Sequence, residues 1–198
     1  MNNKKKNVSI LLSGGLDSTT LIEYYKQYNY EINGIHFQYN QSAKNTEWEA
    51  CKNIANYYDI EVKNLKLGLP ILNFEGQIQC RNSLFIFGAA ANIKPSENVT
   101  LAYGAHSGTP YYDCSINFVS SAQTILDGYF GGTVSIEAPF IRWSKEDILK
   151  FSLMKKVPIE LTYSCEKKEY IECGKCPSCL DRRALTSAYK EYLQKKEN

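Results

Sequence analysis

Short apolar runs alternate with longer amphipathic stretches through most of the chain. The apolar runs have the length of buried strands and predict five of them, at 8–12, 31–39, 61–65, 99–103 and 134–138. Helical patterns occupy 18–28, 43–58, 83–93, 118–130, 144–151 and 179–193, and loops are predicted at 68–79 and 104–109. This alternation predicts an α/β fold with a doubly wound parallel sheet, in which ligands bind beyond the carboxyl ends of the strands.

Composition and charge narrow the class of protein. A chain of 198 residues fits one domain with a small appendage. The net charge of +2 comes from interspersed charges, so no clustered basic face and no nucleic-acid partner are expected. No apolar run approaches the roughly 20 residues that a membrane helix needs, and the first residues lack the pattern of a secretory signal. We therefore expect a cytoplasmic protein that does not enter a membrane.

A glycine turn follows the first predicted strand and carries the first candidate chemistry. Its residues are Ser13, Gly14, Gly15, Leu16, Asp17, Ser18 and Thr19. Glycines permit positive φ and close approach of a ligand, and the helix start offers unpaired N–H groups to an anion. The turn matches neither a Walker A loop nor a dinucleotide fingerprint. Glycine content alone leaves a second interpretation equally open, a tight turn capped by Asp17 or Ser18.

Four of the seven cysteines are bunched near the end of the chain. They are Cys165, Cys173, Cys176 and Cys179. Four thiolates at short spacing are the ligand set of a closed, structural Zn²⁺ site, which favours zinc here. Two alternatives remain, four free thiols and an iron–sulfur cluster, since the C-x2-C-x2-C run is also part of a bacterial ferredoxin pattern.

The turn and the cysteine cluster together carry a family resemblance. The string SGGLDS at 13–18 resembles the pyrophosphate loop of the N-type ATP pyrophosphatases, or PP-loop enzymes. Combined with the cluster, it resembles the QueC family of 7-cyano-7-deazaguanine (preQ0) synthases, and the likeness extends over nearly the whole chain. Further matching segments are HFQYNQ at 36–41, CRNSLF at 80–85, YYDCSINF at 111–118, LTYSC at 161–165 and CGKCPSCLDR at 173–182.

The resemblance implies a fold division, cofactors and an activity. It implies a PP-loop ATP pyrophosphatase domain at 1–160 and a zinc-binding lobe and helix at 161–198. ATP would bind at 13–19 with its adenine near Phe37, and Asp17 would help to hold Mg²⁺. The implied reaction adenylates 7-carboxy-7-deazaguanine and converts it with ammonia, through the amide, to the nitrile. A homodimer is also implied.

Four further side chains are nominated for the substrate side of the site. Arg81, Lys145 and Arg182 are the candidate cations, and Asp113 would accept N–H groups of the deazapurine. Each has a plainer alternative: a salt bridge at a helix start for Arg81, a solvated lysine for Lys145, and a loop cap for Asp113. Arg182 links the cysteine lobe either to the core or to the substrate.

Two basic residues that the family pattern places near the substrate are absent from this chain. Ser42 and Ser115 stand in their positions. Loss of a charge-assisted contact costs about 1.5–3 kcal/mol, so either other residues compensate or the acceptor differs. A second hypothesis is therefore a QueC-like antiphage-defence enzyme that transfers the activated acid to a protein amine. A third is a non-catalytic, zinc-stabilised nucleotide sensor.

Overall fold

The computed structural model describes residues 5–68, 78–167 and 170–197, with side chains described up to residue 187. Most of the predicted loop at 68–79 lies outside the described residues. The strands are β1 (Asn7–Leu11), β2 (Glu31–Gln38), β3 (Val62–Lys66), β4 (Val99–Ala102) and β5 (Val134–Glu137). The helices are α1 (Leu16–Lys26), α2 (Lys44–Tyr58), α3 (Arg81–Ala90), α4 (Ile116–Phe130), α5 (Lys145–Met154) and α6 (Pro177–Glu197).

The five strands form one parallel sheet in the order β3-β2-β1-β4-β5. Leu11 of β1 pairs with Ile35 of β2, and Ile10 pairs with Ala102 of β4. The chain adds β2 and β3 on one side of β1 and then crosses over to add β4 and β5 on the other side. The switch point therefore lies between β1 and β4. Such a switch point opens a crevice at the carboxyl ends of those two strands. The predicted doubly wound fold is confirmed.

Two apolar layers cover the sheet, one on each face. Helices α1, α2 and α5 cover the first face, and α3 and α4 cover the second. Side chains alternate between the layers along each strand, as in β4, where Leu101 faces the second layer and Ala102 the first. The fully buried side chains of the first layer include Val8, Ile10, Leu21, Ile22, Ile54, Phe140 and Ile148.

Four helices, α1, α3, α4 and α6, begin two residues earlier than the sequence pattern predicts, and two of these starts have a clear cause. Helix α1 begins at Leu16 rather than at residue 18, because Gly15 adopts the extended N-cap conformation. Helix α6 begins at Pro177, inside the cysteine cluster, where proline suits the first helical position because it lacks the N–H that would be unpaired there. In the part of the chain that the structure describes, no helix combines the length and apolarity needed to cross a membrane.

A third, smaller apolar cluster joins the cysteine lobe to the rest of the molecule. Ala43 and Ala50, at the start of α2, pack with Tyr163 and the cysteines of the cluster. The backbone N–H of Tyr163 also donates to the carbonyl oxygen of Gly14 at 2.8 Å. The lobe therefore rests on the glycine turn itself. The division of the chain at residue 160 stays a prediction.

Candidate active site at the switch point

The glycine turn is held by its own hydroxyl groups. The backbone N–H of Ser13 donates to Ser18 Oγ at 3.2 Å, and the two serine hydroxyls are 3.0 Å apart. The hydroxyls of Ser18 and Thr19 both donate to the carbonyl oxygen of Gly15, at 3.1 and 2.8 Å. Among the residues that the structure describes, no side chain caps α1, so the interpretation in which Asp17 or Ser18 caps the helix is wrong. The start of α1 keeps its positive dipole end directed at the crevice.

Gly14 is required both by its conformation and by its surroundings. Its φ of +84° lies in the left-handed region, which side chains rarely adopt. A Cβ at this position would lie 3.0 Å from the carbonyl oxygen of Glu47 and 3.1 Å from the Cβ of Ala50. The turn therefore lies in contact with the first turn of α2 on one side and with the cysteine lobe on the other.

A buried histidine supports the turn from below. Nδ1 of His36 lies 3.0 Å from the carbonyl oxygen of Leu12, the residue before the turn, and the Cys51 thiol donates to the same oxygen at 3.3 Å. His36 is 2% exposed and stacks on Trp48, with ring centroids 5.6 Å apart. Burial lowers the pKa of His36 and raises that of Cys51, so both groups are neutral at pH 7. They form a rigid base for the turn.

Ionisable groups from three elements that are distant in the sequence meet beside the turn. Oδ2 of Asp17, in the first turn of α1, lies 2.5 Å from Lys145 Nζ, at the start of α5. Nε2 of His106, from the loop after β4, is 3.9 Å from the same oxygen. Oδ1 of Asp17 is buried and has no hydrogen-bond partner among the described residues. A buried carboxylate oxygen without a partner is a suitable ligand for a hard cation such as Mg²⁺.

Lys145 is directed at Asp17 by the start of its own helix. Ser144 and Asp147 form a capping box, in which Ser144 Oγ accepts from the Asp147 N–H and the Asp147 carboxylate accepts from the Ser144 N–H. Lys145 is therefore the first helical residue, where its charge opposes the helix dipole. The carboxylate of Asp17 offsets this cost. Of the two interpretations of Lys145, the structure supports the one with an anionic partner.

His106 also lies in this candidate site, and no sequence pattern predicted it. Gly104 brings the β4 loop against α1, since a Cβ there would lie 3.2 Å from both Asp17 Cβ and the Ser18 nitrogen. His106 is 6% exposed, and its Nδ1 accepts from the backbone N–H of Gly108 at 3.0 Å. Burial first, and Lys145 second, lower its pKa. One signal existed: it is one of only two histidines, and it follows a strand at the functional edge of the sheet.

Arg81 and Asp113 occupy a neighbouring part of the surface. Arg81 is the exposed first residue of α3, and its positive charge opposes the effect of burial on the pKa values of Tyr39 and Glu47. Oδ2 of Asp113 accepts from the Asn82 N–H at 3.4 Å, so the carboxylate lies over the first turn of α3. Among the described residues, no hydrogen bond or ion pair joins either group to Asp17, and their substrate roles stay predictions.

The ring of Phe37 belongs to the core. It is 5% exposed and stacks on Phe85, with centroids 4.8 Å apart and planes 7° apart. Its carbonyl oxygen accepts from Gln41 Nε2 at 3.1 Å. The ring is therefore not exposed to a ligand, and the adenine position near Phe37 stays a prediction.

The four clustered cysteines converge on one point. Their Sγ atoms all lie within 4.8 Å of one another, and Cys173 and Cys179 are 4.0 Å apart. Four sulfurs around one tetrahedral ion at about 2.3 Å would be about 3.8 Å apart, so the set fits a metal such as zinc. The N–H groups of Lys175 and Cys176 donate to Cys173 Sγ at 3.5 and 3.4 Å, and they lower the pKa of Cys173 to about 6.

Burial raises the pKa of Cys179 to about 12, so a cation beside this sulfur would be needed to hold it as a thiolate. The cluster is closed, because all four tetrahedral positions are supplied by protein sulfur. The arrangement is that of a structural metal site.

Arg182 and Ser115 have local structural partners. The guanidinium of Arg182 donates to the carbonyl oxygens of Thr162 at 2.8 Å and Ile159 at 3.1 Å, and it pairs with Glu172 at 2.8 Å. It therefore links α6 to the segment before the cluster, and its role toward the substrate stays a prediction. Ser115 Oγ accepts from the Phe118 N–H and caps α4.

Comparison with known proteins gives close matches over almost the whole chain. A family model described as queuosine biosynthesis protein QueC matches residues 7–76 and 74–193. A 7-cyano-7-deazaguanine synthase from Sulfurimonas denitrificans is 32% identical, and the alignment covers 90% of this chain and 92% of the relative. One from Prochlorococcus marinus is 30% identical, with 99% of each chain covered.

A solved structure shares the fold at low sequence identity. It is a predicted subunit of a tRNA methyltransferase from Methanocaldococcus jannaschii, with a TM-score of 0.53 and 13% identity over 75% of this chain and 74% of that one. At this identity the likeness shows the architecture alone.

Proposed function

The chain belongs to the QueC family of queuosine biosynthesis proteins, and from that premise we propose that it is an ATP-dependent 7-cyano-7-deazaguanine synthase. The proposed reaction adenylates 7-carboxy-7-deazaguanine and converts it with ammonia, through the amide, to the nitrile. The observation that carries the proposal is the meeting of the glycine turn with Asp17 and Lys145 at the switch point.

The turn and α1 bind the phosphates in this proposal. The helix dipole and the unpaired N–H groups at the start of α1 attract an anion. The contact between the Ser13 and Ser18 hydroxyls fixes the direction of these N–H groups before a ligand binds. Gly15 has no side chain to obstruct the approach of a ligand to the backbone. Bound ATP supplies AMP as the leaving group, which a carboxylate needs because it is a poor electrophile.

The Asp17–Lys145 pair provides the charge that the reaction needs. Asp17 would hold Mg²⁺ through its unpartnered Oδ1. Lys145, which has one anionic partner in the described structure, would donate to a phosphate oxygen as well, since an ammonium group has three N–H donors. Both groups come from helix first turns, so their positions are fixed by the fold.

The cysteine cluster holds Zn²⁺ in a supporting role. The lobe is tied to the turn through the hydrogen bond from Tyr163 to Gly14. The proposed zinc would stabilise the wall of the site without taking part in the chemistry.

A second candidate function is transfer of the activated acid to a protein amine. Ser42 is exposed and Ser115 is engaged as a helix cap, so neither supplies the positive charge that the family pattern has there. Tyr111 and Tyr112, beside Asp113, are 41% and 65% exposed. A partly aromatic surface with fewer basic groups than the family pattern suits a peptide acceptor.

The test is a product assay by mass spectrometry. The protein is incubated with ATP, Mg²⁺, 7-carboxy-7-deazaguanine and ammonia, and the nitrile is expected with AMP and pyrophosphate. Accumulation of the amide or the adenylate without nitrile would contradict the synthase and leave the adenylation standing. Lys145→Ala should reduce turnover roughly 100-fold, the loss typical of one charge-stabilising group, whereas Lys150→Ala, an exposed lysine on the same helix, should not.

A further inference from the structure

We infer that His106 contacts the nucleotide, donating a hydrogen bond from Nε2 to a phosphate oxygen held at the glycine turn. This inference rests on the proposed function and extends it to a residue outside the glycine turn. The supporting observations are the position of the imidazole, its fixed tautomer and the unused donor on Nε2.

The position of His106 follows from the sheet order. Strands β1 and β4 are neighbours, so the turn after β1 and the loop after β4 leave the sheet side by side. Gly104 brings this loop into contact with the start of α1. His106, two residues later, therefore reaches the same crevice as Asp17 and lies 3.9 Å from its carboxylate.

The tautomer of His106 is fixed by its backbone. Nδ1 accepts from the Gly108 N–H at 3.0 Å, so the proton of the neutral ring is on Nε2. A Cβ on Gly108 would lie 3.0 Å from two atoms of the ring, so the loop wraps closely around it. Because Nδ1 is occupied as an acceptor, Nε2–H is the donor that the ring presents.

The donor on Nε2 remains free for a ligand. The carboxylate oxygen Oδ2 of Asp17 is 3.9 Å away, which is too long for a hydrogen bond, and that oxygen is already bound by Lys145. Within the described residues, Nε2 has no other hydrogen-bond partner. The Nε2 atom is accessible rather than fully buried, so an acceptor bound in the crevice can reach it.

The other histidine has a different arrangement. His36 directs Nδ1 at the Leu12 carbonyl oxygen, and its Nε2 is buried away from the crevice without a partner. It supports the turn and does not reach a ligand. His106 instead uses its backbone-facing nitrogen as the acceptor and leaves the donor toward the crevice.

Two substitutions test the Nε2–H donor separately from the contact of Nδ1 with the Gly108 N–H, which anchors the ring. His106→Asn retains an acceptor for the Gly108 N–H but is too short to replace Nε2. His106→Gln places an amide N–H near the position of Nε2 but loses the anchor. We expect Asn to weaken MgATP binding roughly 10- to 100-fold and Gln to retain affinity within about 3-fold, since a hydrogen bond to a charged group is lost only in the first.

The measurement is isothermal titration calorimetry with MgATP, with AMP and inorganic pyrophosphate as further probes and thermal melts as the check on folding. Ser107→Ala is the matched control, because it removes a hydroxyl of the same loop that donates to the Trp143 carbonyl oxygen. His106→Ala serves as a second donor-loss variant if Asn does not fold. Equal affinity of the Asn and Gln variants, or rescue by Asn alone, would overturn the inference.

The same proteins distinguish this inference from the proposed function. MgATP binding that depends on His106, in a protein that forms no nitrile, leaves the inference standing and rejects the synthase. Nitrile formation by wild type, with unchanged MgATP affinity and KM in His106→Asn, rejects the inference alone.

Discussion

The glycine turn and the cysteine cluster are assembled in opposite ways. The ionisable groups that meet at the turn come from α1, the β4 loop and α5, and the ion pair between Asp17 and Lys145 spans 128 residues. The cluster takes its ligands from the single stretch between Cys165 and Cys179. A local site is readable from spacing, whereas a site made by topology requires the order of the strands.

The two regions are nevertheless in contact. Tyr163 donates to the carbonyl oxygen of Gly14, and Arg182 binds the carbonyl oxygens of Thr162 and Ile159 just before it. The cysteine lobe is therefore a wall of the turn. Perturbing each region separately shows how far one depends on the other.

The largest effect is expected from removing a metal ligand. Cys176→Ser, or treatment with a strong chelator, should abolish metal binding and loosen the lobe, because structural zinc sites contribute about 10–16 kcal/mol in small domains. Metal content by mass spectrometry and limited proteolysis of the segment after residue 160 measure this. Cys80→Ser is the control, since Cys80 is exposed and outside the cluster. Full metal content in Cys176→Ser would contradict the site.

A smaller effect is expected from adding a side chain at Gly14 in the turn. Gly14→Ala places a Cβ 3.0 Å from the Glu47 carbonyl oxygen at a φ of +84°. We expect a loss of roughly 1–3 kcal/mol in the free energy of unfolding, from strain and crowding, and weaker ATP binding. Urea denaturation and calorimetry measure the two.

Gly128→Ala is the matched control for this substitution. Gly128 lies within α4, and an added Cβ would meet nothing within 4 Å. Alanine there should be neutral or stabilise the protein by up to about 1 kcal/mol. A similar loss in both variants would show that Gly14 is not a special position.

A third test acts on the link between the regions. Arg182→Ala removes two charged hydrogen bonds and the pair with Glu172, and we expect a loss of about 2 kcal/mol in the free energy of unfolding with the metal retained. Arg182→Lys keeps the charge but lacks the planar, forked guanidinium. Its free energy of unfolding should lie between those of the wild type and the alanine variant. If both variants matched wild type, the link would carry no stability.

The sequence predicts the elements of the fold and the cluster but not the meeting of distant residues. Alternation of apolar runs identified all five strands, and the spacing of the cysteines identified four side chains whose sulfurs do converge. The same alternation places Phe37 on one face of β2, and its packing against α3 required the second layer of helices. Local patterns are encoded within a few residues, so they can be recognised locally.

The residues missed or left open are those whose role depends on strand order. His106 lies beside Asp17 only because β4 is the neighbour of β1. Lys145 was nominated, but its partner was not, because 128 residues separate the two in the chain. Parallel sheets bring such groups to one edge, and no local pattern records which strands are adjacent.

The smallest effect concerns the base of the turn and depends on pH. Burial holds the pKa of His36 below its ordinary value of 6.5. As the pH falls through 6.5, the unfolded chain takes up a proton that folded His36 does not, so stability present above that pH is lost toward pH 5. The loss is at most about 1.4 kcal/mol per pH unit.

His36→Asn tests this contribution because it keeps an N–H donor near the Leu12 carbonyl oxygen and does not titrate. It should be less stable than wild type at pH 7, since the ring contact with Trp48 is lost, but its stability should depend less on pH. Urea denaturation at pH 7, 6 and 5.5 measures both slopes. His106 and the cysteines are present in both proteins, so their contributions cancel. Equal slopes would mean that His36 has the same pKa in the folded and the unfolded chain. Acid would then not destabilise the base of the turn separately from the metal lobe.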